Sequence, residues 1–158
     1  TGLRQHQEHA YRTSVEYGYA TATTNQYDLW YSFIEGNVAL DPETFETLRK
    51  YTLKHKRRTP DFSGIYVLHN QTLGKAYVGQ SVNVMDRIRQ HMSGTGRGQT
   101  GSALLHADKE LGHKFRITVI PLPFSNYPTL DKLESVAIAH YDSFYNGYNK
   151  TRGNHIND

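Results

Sequence analysis

"GIYVLHNQTLGKAYVG", residues 64–79, reads as two short strands, 64–69 and 75–79, joined by a turn that Asn70 and Gly74 supply. Each strand carries a tyrosine close to a glycine. A register pairing residues whose numbers sum to 143 sets Tyr66 directly across from Tyr77 on one sheet face. Two phenols that meet on a sheet have a plain explanation, an aromatic pair that fills the core. Two phenylalanines would pack as well, so the hydroxyls are what needs explaining.

Downstream, "SVNVMDRIRQHM" (81–92) is an amphipathic helix with Val84, Ile88 and Met92 as its apolar stripe and Ser81 or Asn83 as its cap. Arg87 and His91, four apart, share one face beside that stripe. Residues 93–101, "SGTGRGQTG", form a flexible loop with Arg97 and without the Lys-Ser/Thr ending of a P-loop. Ser102 then caps a helix that carries Leu104, Leu105, Ala107 and Leu111 and closes at Gly112. "KFRITVI" (114–120) alternates as a strand and stops at Pro121 and Pro123. Thr129 caps a last helix whose Leu130, Leu133, Ala137 and Tyr141 spacing fits burial against a sheet, with Glu134 on its border. The order strand, strand, helix, helix, strand, helix predicts an α/β layer: a small three-stranded, mostly antiparallel sheet flanked by helices.

Upstream, residues 1–40 are rich in Tyr, Thr, Gln and His, and the aromatic patch "YDLWYSFI" (27–34) is read as an anchor docked on the core. Asp41 and Pro42 start a helix expected over 42–56, which Pro60 ends. Its tail carries Lys50, Lys54, Lys56, Arg57 and Arg58. Cations there complement the helix dipole or contact phosphates. The expected organisation is a partly helical extension over 1–62 and a compact domain over 63–158.

The 158 residues carry a net charge of +3, and a pI near 9.0 fits a polyanionic partner. Without cysteine there is neither a disulfide framework nor a Cys-containing zinc site, and an intracellular setting is the default. No apolar run is long enough to span a bilayer and no signal-peptide layout is present, although a start at Thr1 rather than methionine suggests a processed chain. "HQEH" at 6–9 is a poor zinc signal, since it lacks acid or Cys partners at ligand spacing. "GNHIND" at the terminus reads as a frayed tail.

Each of Tyr66, Tyr77, Arg87, His91 and Glu134 has a dull explanation alone. Together they are harder to dismiss, because burying a carboxylate and an arginine near one another costs desolvation. "GIY" at 64–66, "YVG" at 77–79, eleven residues from Tyr66 to Tyr77, Arg87 eight after Gly79, then His91, Glu134 in a late helix and Asn149 in "GYN" resemble the GIY-YIG nuclease superfamily over residues 63–150. Only Val78, where the motif has isoleucine, departs, and it is a minor apolar swap.

The resemblance implies a divalent-metal-dependent endonuclease that hydrolyses DNA, using one Mg²⁺ or Mn²⁺ held by Glu134 and no small-molecule cofactor. Arg87 would pair with the scissile phosphate, Tyr66 would activate water, Tyr77 would orient water or phosphate, and His91 would relay the proton. A phenol with a reference pKa near 10 can do this only if a neighbour favours its phenolate. Lys75, Arg97, Ser102, Asn149, Lys54, Lys56 and Arg57 are the candidate substrate contacts. For Lys75 a solvent-facing role is equally plain, for Ser102 and Arg97 capping or surface roles are, and Asn149 is read more as a tie for the terminal segment. His106 is read as a surface residue.

Recognition would fall to residues 1–62, the inserted loops or a second copy in a homodimer. That layout resembles restriction-type or phage-type enzymes more than homing-type ones. The competing readings are a catalytically silent nucleic-acid-binding module and a delivered nuclease toxin or effector.

Overall fold

A computed structural model describes residues 25–93 and 102–153. The His6/His9 motif, the loop with Arg97 and residues 154–158 lie outside the described residues. The described elements are α1 (Gln26–Ile34), α2 (Pro42–Lys54), β1 (Gly64–Asn70), β2 (Lys75–Ser81), α3 (Val84–Ser93), α4 (Ala103–Glu110), β3 (Phe115–Pro121) and α5 (Leu130–Tyr141). This is the α/β order that the sequence predicts from residue 64 onward.

Local chemistry accounts for most boundaries. The Asn70 side chain accepts hydrogen bonds from the backbone N–H groups of Thr72 and Leu73, and Gly74 takes φ +74°, so the hairpin turn is built as expected. Asp41 caps α2 through the N–H of Thr44, Thr129 caps α5 through that of Lys132, and Asn25 caps α1. The aromatic patch at 27–34 is the body of α1, which buries Leu29, Trp30, Phe33 and Ile34.

The sheet runs β2-β1-β3, antiparallel throughout, and central β1 is buried along its length. Alternation divides it: Tyr66 and Leu68 face a core shared with α1 to α4, while Ile65 and Val67 face α5 through Leu133, Ala137 and Ile138. Residues on both sides of position 62 thus build the first core; fully buried Phe33 and Phe45 each contribute about 1.5–3 kcal/mol there. Leu40 exchanges backbone hydrogen bonds with Ile117 on the outer edge of β3. Residues 148 and 149 bond to the outer edge of β2, so both sheet edges are engaged.

The helix after the 93–101 loop buries Leu105 but not the rest of its apolar residues. Leu104, Ala107 and Leu111 are exposed, and the inner face of α4 is Leu105, His106 and Asp108. Polar residues go inward because partners await them. Tyr148 donates its hydroxyl to Asp108 and accepts a hydrogen bond from Asn70, and His106 stacks on His91.

His69, buried under α5 and 3.0 Å from the Thr118 hydroxyl, has its pKa lowered by burial to about 4. Its folded value lies below its unfolded one, so the unfolded chain binds more protons between pH 6.5 and 4 and stability falls as pH drops through that window. Between pH 7.5 and 5 the loss from this residue is about 2 kcal/mol. Urea unfolding of His69→Gln at both pH values is expected to show that much less acid destabilisation than the parent chain; an identical loss would contradict the assignment.

Candidate active site

Tyr66 and Tyr77 do come together, but not by the predicted pairing. The hairpin register sums to 145, so Tyr66 pairs with Gly79 and Tyr77 with Leu68. The two tyrosines are diagonal neighbours on the same face, with ring centroids 6.3 Å apart. The ring of Tyr66 lies across Gly79: a Cβ there would stand 2.3 Å from both Cζ and Oη of Tyr66. A Cβ on Gly64 would stand 2.4 Å from the Ile120 carbonyl oxygen. These two glycines admit other parts of the protein itself: a tyrosine ring at Gly79 and a neighbouring strand at Gly64.

Helix α3 supplies Arg87 and His91. Its N-terminus is capped by Asp61, not by Ser81 or Asn83: the Asp61 carboxylate accepts from the N–H groups of Met85 (2.8 Å) and Asp86 (3.2 Å), and Val84 N–H donates to the Phe62 carbonyl. Arg87 therefore sits half-buried in the first turn, and His91, one turn on, is fully buried. His91 Nε2 is 2.9 Å from the Tyr66 hydroxyl, and its ring lies 5.3 Å from that of Tyr77 and 5.9 Å from that of His106. His91 Nδ1 is buried with no hydrogen-bond partner among the described residues.

Glu134 comes from α5, which packs on the opposite face of the sheet, and its charge raises the pKa of both tyrosines. It is not a lone carboxylate. Gln80 Nε2 donates to Glu134 Oε1 at 2.9 Å and to Asp131 Oδ1 at 2.8 Å. An oxygen-only donor set of this kind suits a hard cation such as Mg²⁺. Among the described residues no three His, Cys, Asp or Glu side chains converge as a metal cage, so an ion at Glu134 would need water or substrate oxygens too.

Burial is the largest cause of shift for the two tyrosines, His91 and Glu134. Burial, helped by the neighbouring Tyr77, raises the Tyr66 pKa above the ordinary phenol value, against the pull of Arg87. Tyr77 is raised by burial and by the charge of Glu134. His91 falls to about 3 through burial and the charges of His106 and Arg87. Burial also raises Glu134, opposed by the Gln80 hydrogen bond and aided by Asp131.

The other candidates are placed less centrally. Ser102 is the buried N-cap of α4, accepting from the Leu105 N–H. Lys75 holds its ammonium 5.9 Å from the Tyr148 ring centre at the hairpin end of β2, about 13 Å along the strand from Gly79. Lys54, Lys56 and Arg57 are exposed at the end of α2, while Arg58 rests on the Tyr27 ring at 4.4 Å. Asp61 ties the loop after this run to the N-terminus of α3, one turn from Arg87. His106, read as a surface residue, is buried against His91.

Asn149 behaves as a surrogate strand residue: its Oδ1 accepts from Val78 N–H and its Nδ2 donates to the Val78 carbonyl, both at 2.8 Å. Asn149→Ala leaves both Val78 groups on the strand edge and is expected to lower stability by about 1–3 kcal/mol in urea unfolding. Weaker DNA binding with unchanged stability would make Asn149 a substrate contact instead.

Two phenols and an imidazole thus meet on one sheet face, with the Arg87 guanidinium and the Glu134 carboxylate within electrostatic reach. The model of the GIY-YIG catalytic domain matches residues 62–149, more than half of the 158 residues, and the chain belongs to that family. No curated protein and no solved structure matches the chain. Family membership makes this a hydrolase acting on nucleic acid, and nucleases of the family generally use divalent metals. Among the described residues no helix is long and apolar enough to cross a membrane.

Proposed function

We propose that the protein is a DNA endonuclease that hydrolyses one phosphodiester per active site with a single divalent cation, Mg²⁺ or Mn²⁺, at Glu134. The observation that carries this reading is the 2.9 Å contact between the Tyr66 hydroxyl and His91 Nε2, made beside the Arg87 charge. The bound cation would supply charge neutralisation at the phosphate and at the departing 3′ oxygen.

The remaining work belongs to side chains. Arg87 binds the scissile phosphate and stabilises the charge that grows on it. Tyr66 takes a proton from the attacking water as its own proton passes to His91 Nε2, in the tautomer that carries hydrogen on Nδ1; the water oxygen bonds to phosphorus and the P–O3′ bond breaks. In the free protein this transfer is uphill, because burial and Arg87 disfavour an imidazolium at position 91. Phosphate charge beside Arg87 offsets that obstacle, which links proton transfer to substrate binding. Tyr77 orients the water or the phosphate. Lys54, Lys56 and Arg57, exposed at the end of α2, would hold further phosphates of the duplex, and a second copy of the chain would cut the other strand.

Supercoiled plasmid incubated with Mg²⁺, and in parallel with chelator, tests the reading. Nicks and linear product only with Mg²⁺ are expected; tight binding without strand breaks in either condition would leave a catalytically silent binding module. Sequencing the product ends reports site preference and symmetry together, and symmetric ends indicate two copies.

A further inference from the structure

Gln80 follows Gly79 on β2 and, by strand alternation, points away from the tyrosine face toward α5. Both of its partners, Asp131 Oδ1 and Glu134 Oε1, are carboxylate oxygens, which only accept, so the amide must present its nitrogen, and both N–H bonds are used. Asp131 and Glu134 are three residues apart and share one side of α5. Two carboxylates side by side repel, and a glutamate has three rotatable bonds with which to swing apart. The shared amide removes that freedom and ties the Glu134 carboxylate to the strand that carries Tyr77 and seats the Tyr66 ring over Gly79.

We propose that Gln80 is a positioning residue for cutting: its amide fixes Glu134 through Oε1, anchored on the other side by Asp131, so that the carboxylate meets the cation in one orientation. The proposal rests on the nuclease reading above and adds to it a residue outside the Tyr, Arg, His and Glu set. Outer hydrogen-bond partners of a metal-holding carboxylate set its direction and basicity, and their loss typically weakens metal affinity or activity by about 10–100-fold.

Gln80→Leu and Gln80→Met both remove the donors while keeping an apolar chain of similar length on a half-buried strand position. Three quantities are read for each: Mn²⁺ affinity of the protein alone, from the paramagnetic resonance of free Mn²⁺; kcat and the metal midpoint for plasmid nicking; and DNA affinity in chelator. The expected result is Mn²⁺ affinity and kcat each lower by about 10–100-fold, with DNA affinity and melting temperature unchanged. Wild-type Mn²⁺ affinity and kcat in both variants would overturn the proposal, as would losses that only track a fall in melting temperature. Absence of nicking by the unmodified chain would instead remove the nuclease reading, while the Mn²⁺ titration would still decide whether Gln80 positions Glu134.

Discussion

Tyr66→Phe is expected to fold as the parent does and to cut DNA roughly 10²–10⁴-fold more slowly. The ring is 1% exposed and packs against Tyr77 and His91, so a phenylalanine fills the same space. What disappears is the hydroxyl, which has its 2.9 Å partner in His91 Nε2 and feels the charge of Arg87. Its removal leaves a buried imidazole nitrogen without that partner, a cost of about 1 kcal/mol, partly offset because a phenol no longer has to be desolvated. A core-filling role predicts undiminished cutting, whereas a proton-transfer role predicts a large loss in kcat with little change in unfolding free energy. Single-turnover cleavage together with urea unfolding separates the two, and full activity in Tyr66→Phe would remove Tyr66 from the mechanism.

Gly79→Ala is expected to damage stability and activity together. The new methyl would lie 2.3 Å from Tyr66 Cζ and Oη and 2.9 Å from Cε1, well inside contact distance. The phenol has little room to retreat, since Tyr77 and His91 flank it at 6.3 and 5.4 Å between ring centres. Overpacking of this kind typically costs about 1–3 kcal/mol. Displacing the hydroxyl by about an ångström can lower cleavage by about 10²-fold. Thermal unfolding and nicking rates on the same preparation check both parts; an active, stable Gly79→Ala would mean that Tyr66 does not lie across this position.

The frame was legible where local chemistry fixes it. Asn70 and Gly74 dictate the turn, and Asp41, Ser102 and Thr129 announce three helix starts that the structure keeps. The hairpin register was missed because a direct Tyr66–Tyr77 pair was assumed; the true pairing is shifted by two residues, 145 against 143. A shift of two leaves every side chain on its expected face, whereas a shift of one would have separated the tyrosines. That is why the site could be read through an incorrect register.

Other features depend on contacts remote in sequence. Asp61 caps a helix that begins more than twenty residues later, and nothing local to "SVNVM" signals it. Burial of His106 and Asp108 beside Leu105 depends on His91 and Tyr148, which nothing local to α4 signals. Gln80 and Asp131 carry only a weak signal in the sequence. Asp131 lies three residues before Glu134 on one helix, and Gln80 sits two after Val78 on a strand whose even-numbered residues face α5.

The central claim is that the Glu134 carboxylate is required for strand cleavage and not for holding DNA. Glu134→Gln keeps an acceptor oxygen for Gln80 and removes the charge, so the fold and the hydrogen bond can persist. The decisive measurement is single-turnover nicking of supercoiled plasmid in Mg²⁺ by the parent chain and by Glu134→Gln, with DNA affinity measured in chelator. Nicking by the parent, loss of about 10²-fold or more in the variant and equal DNA affinity are predicted. Nicking by Glu134→Gln at the parent rate would contradict the account.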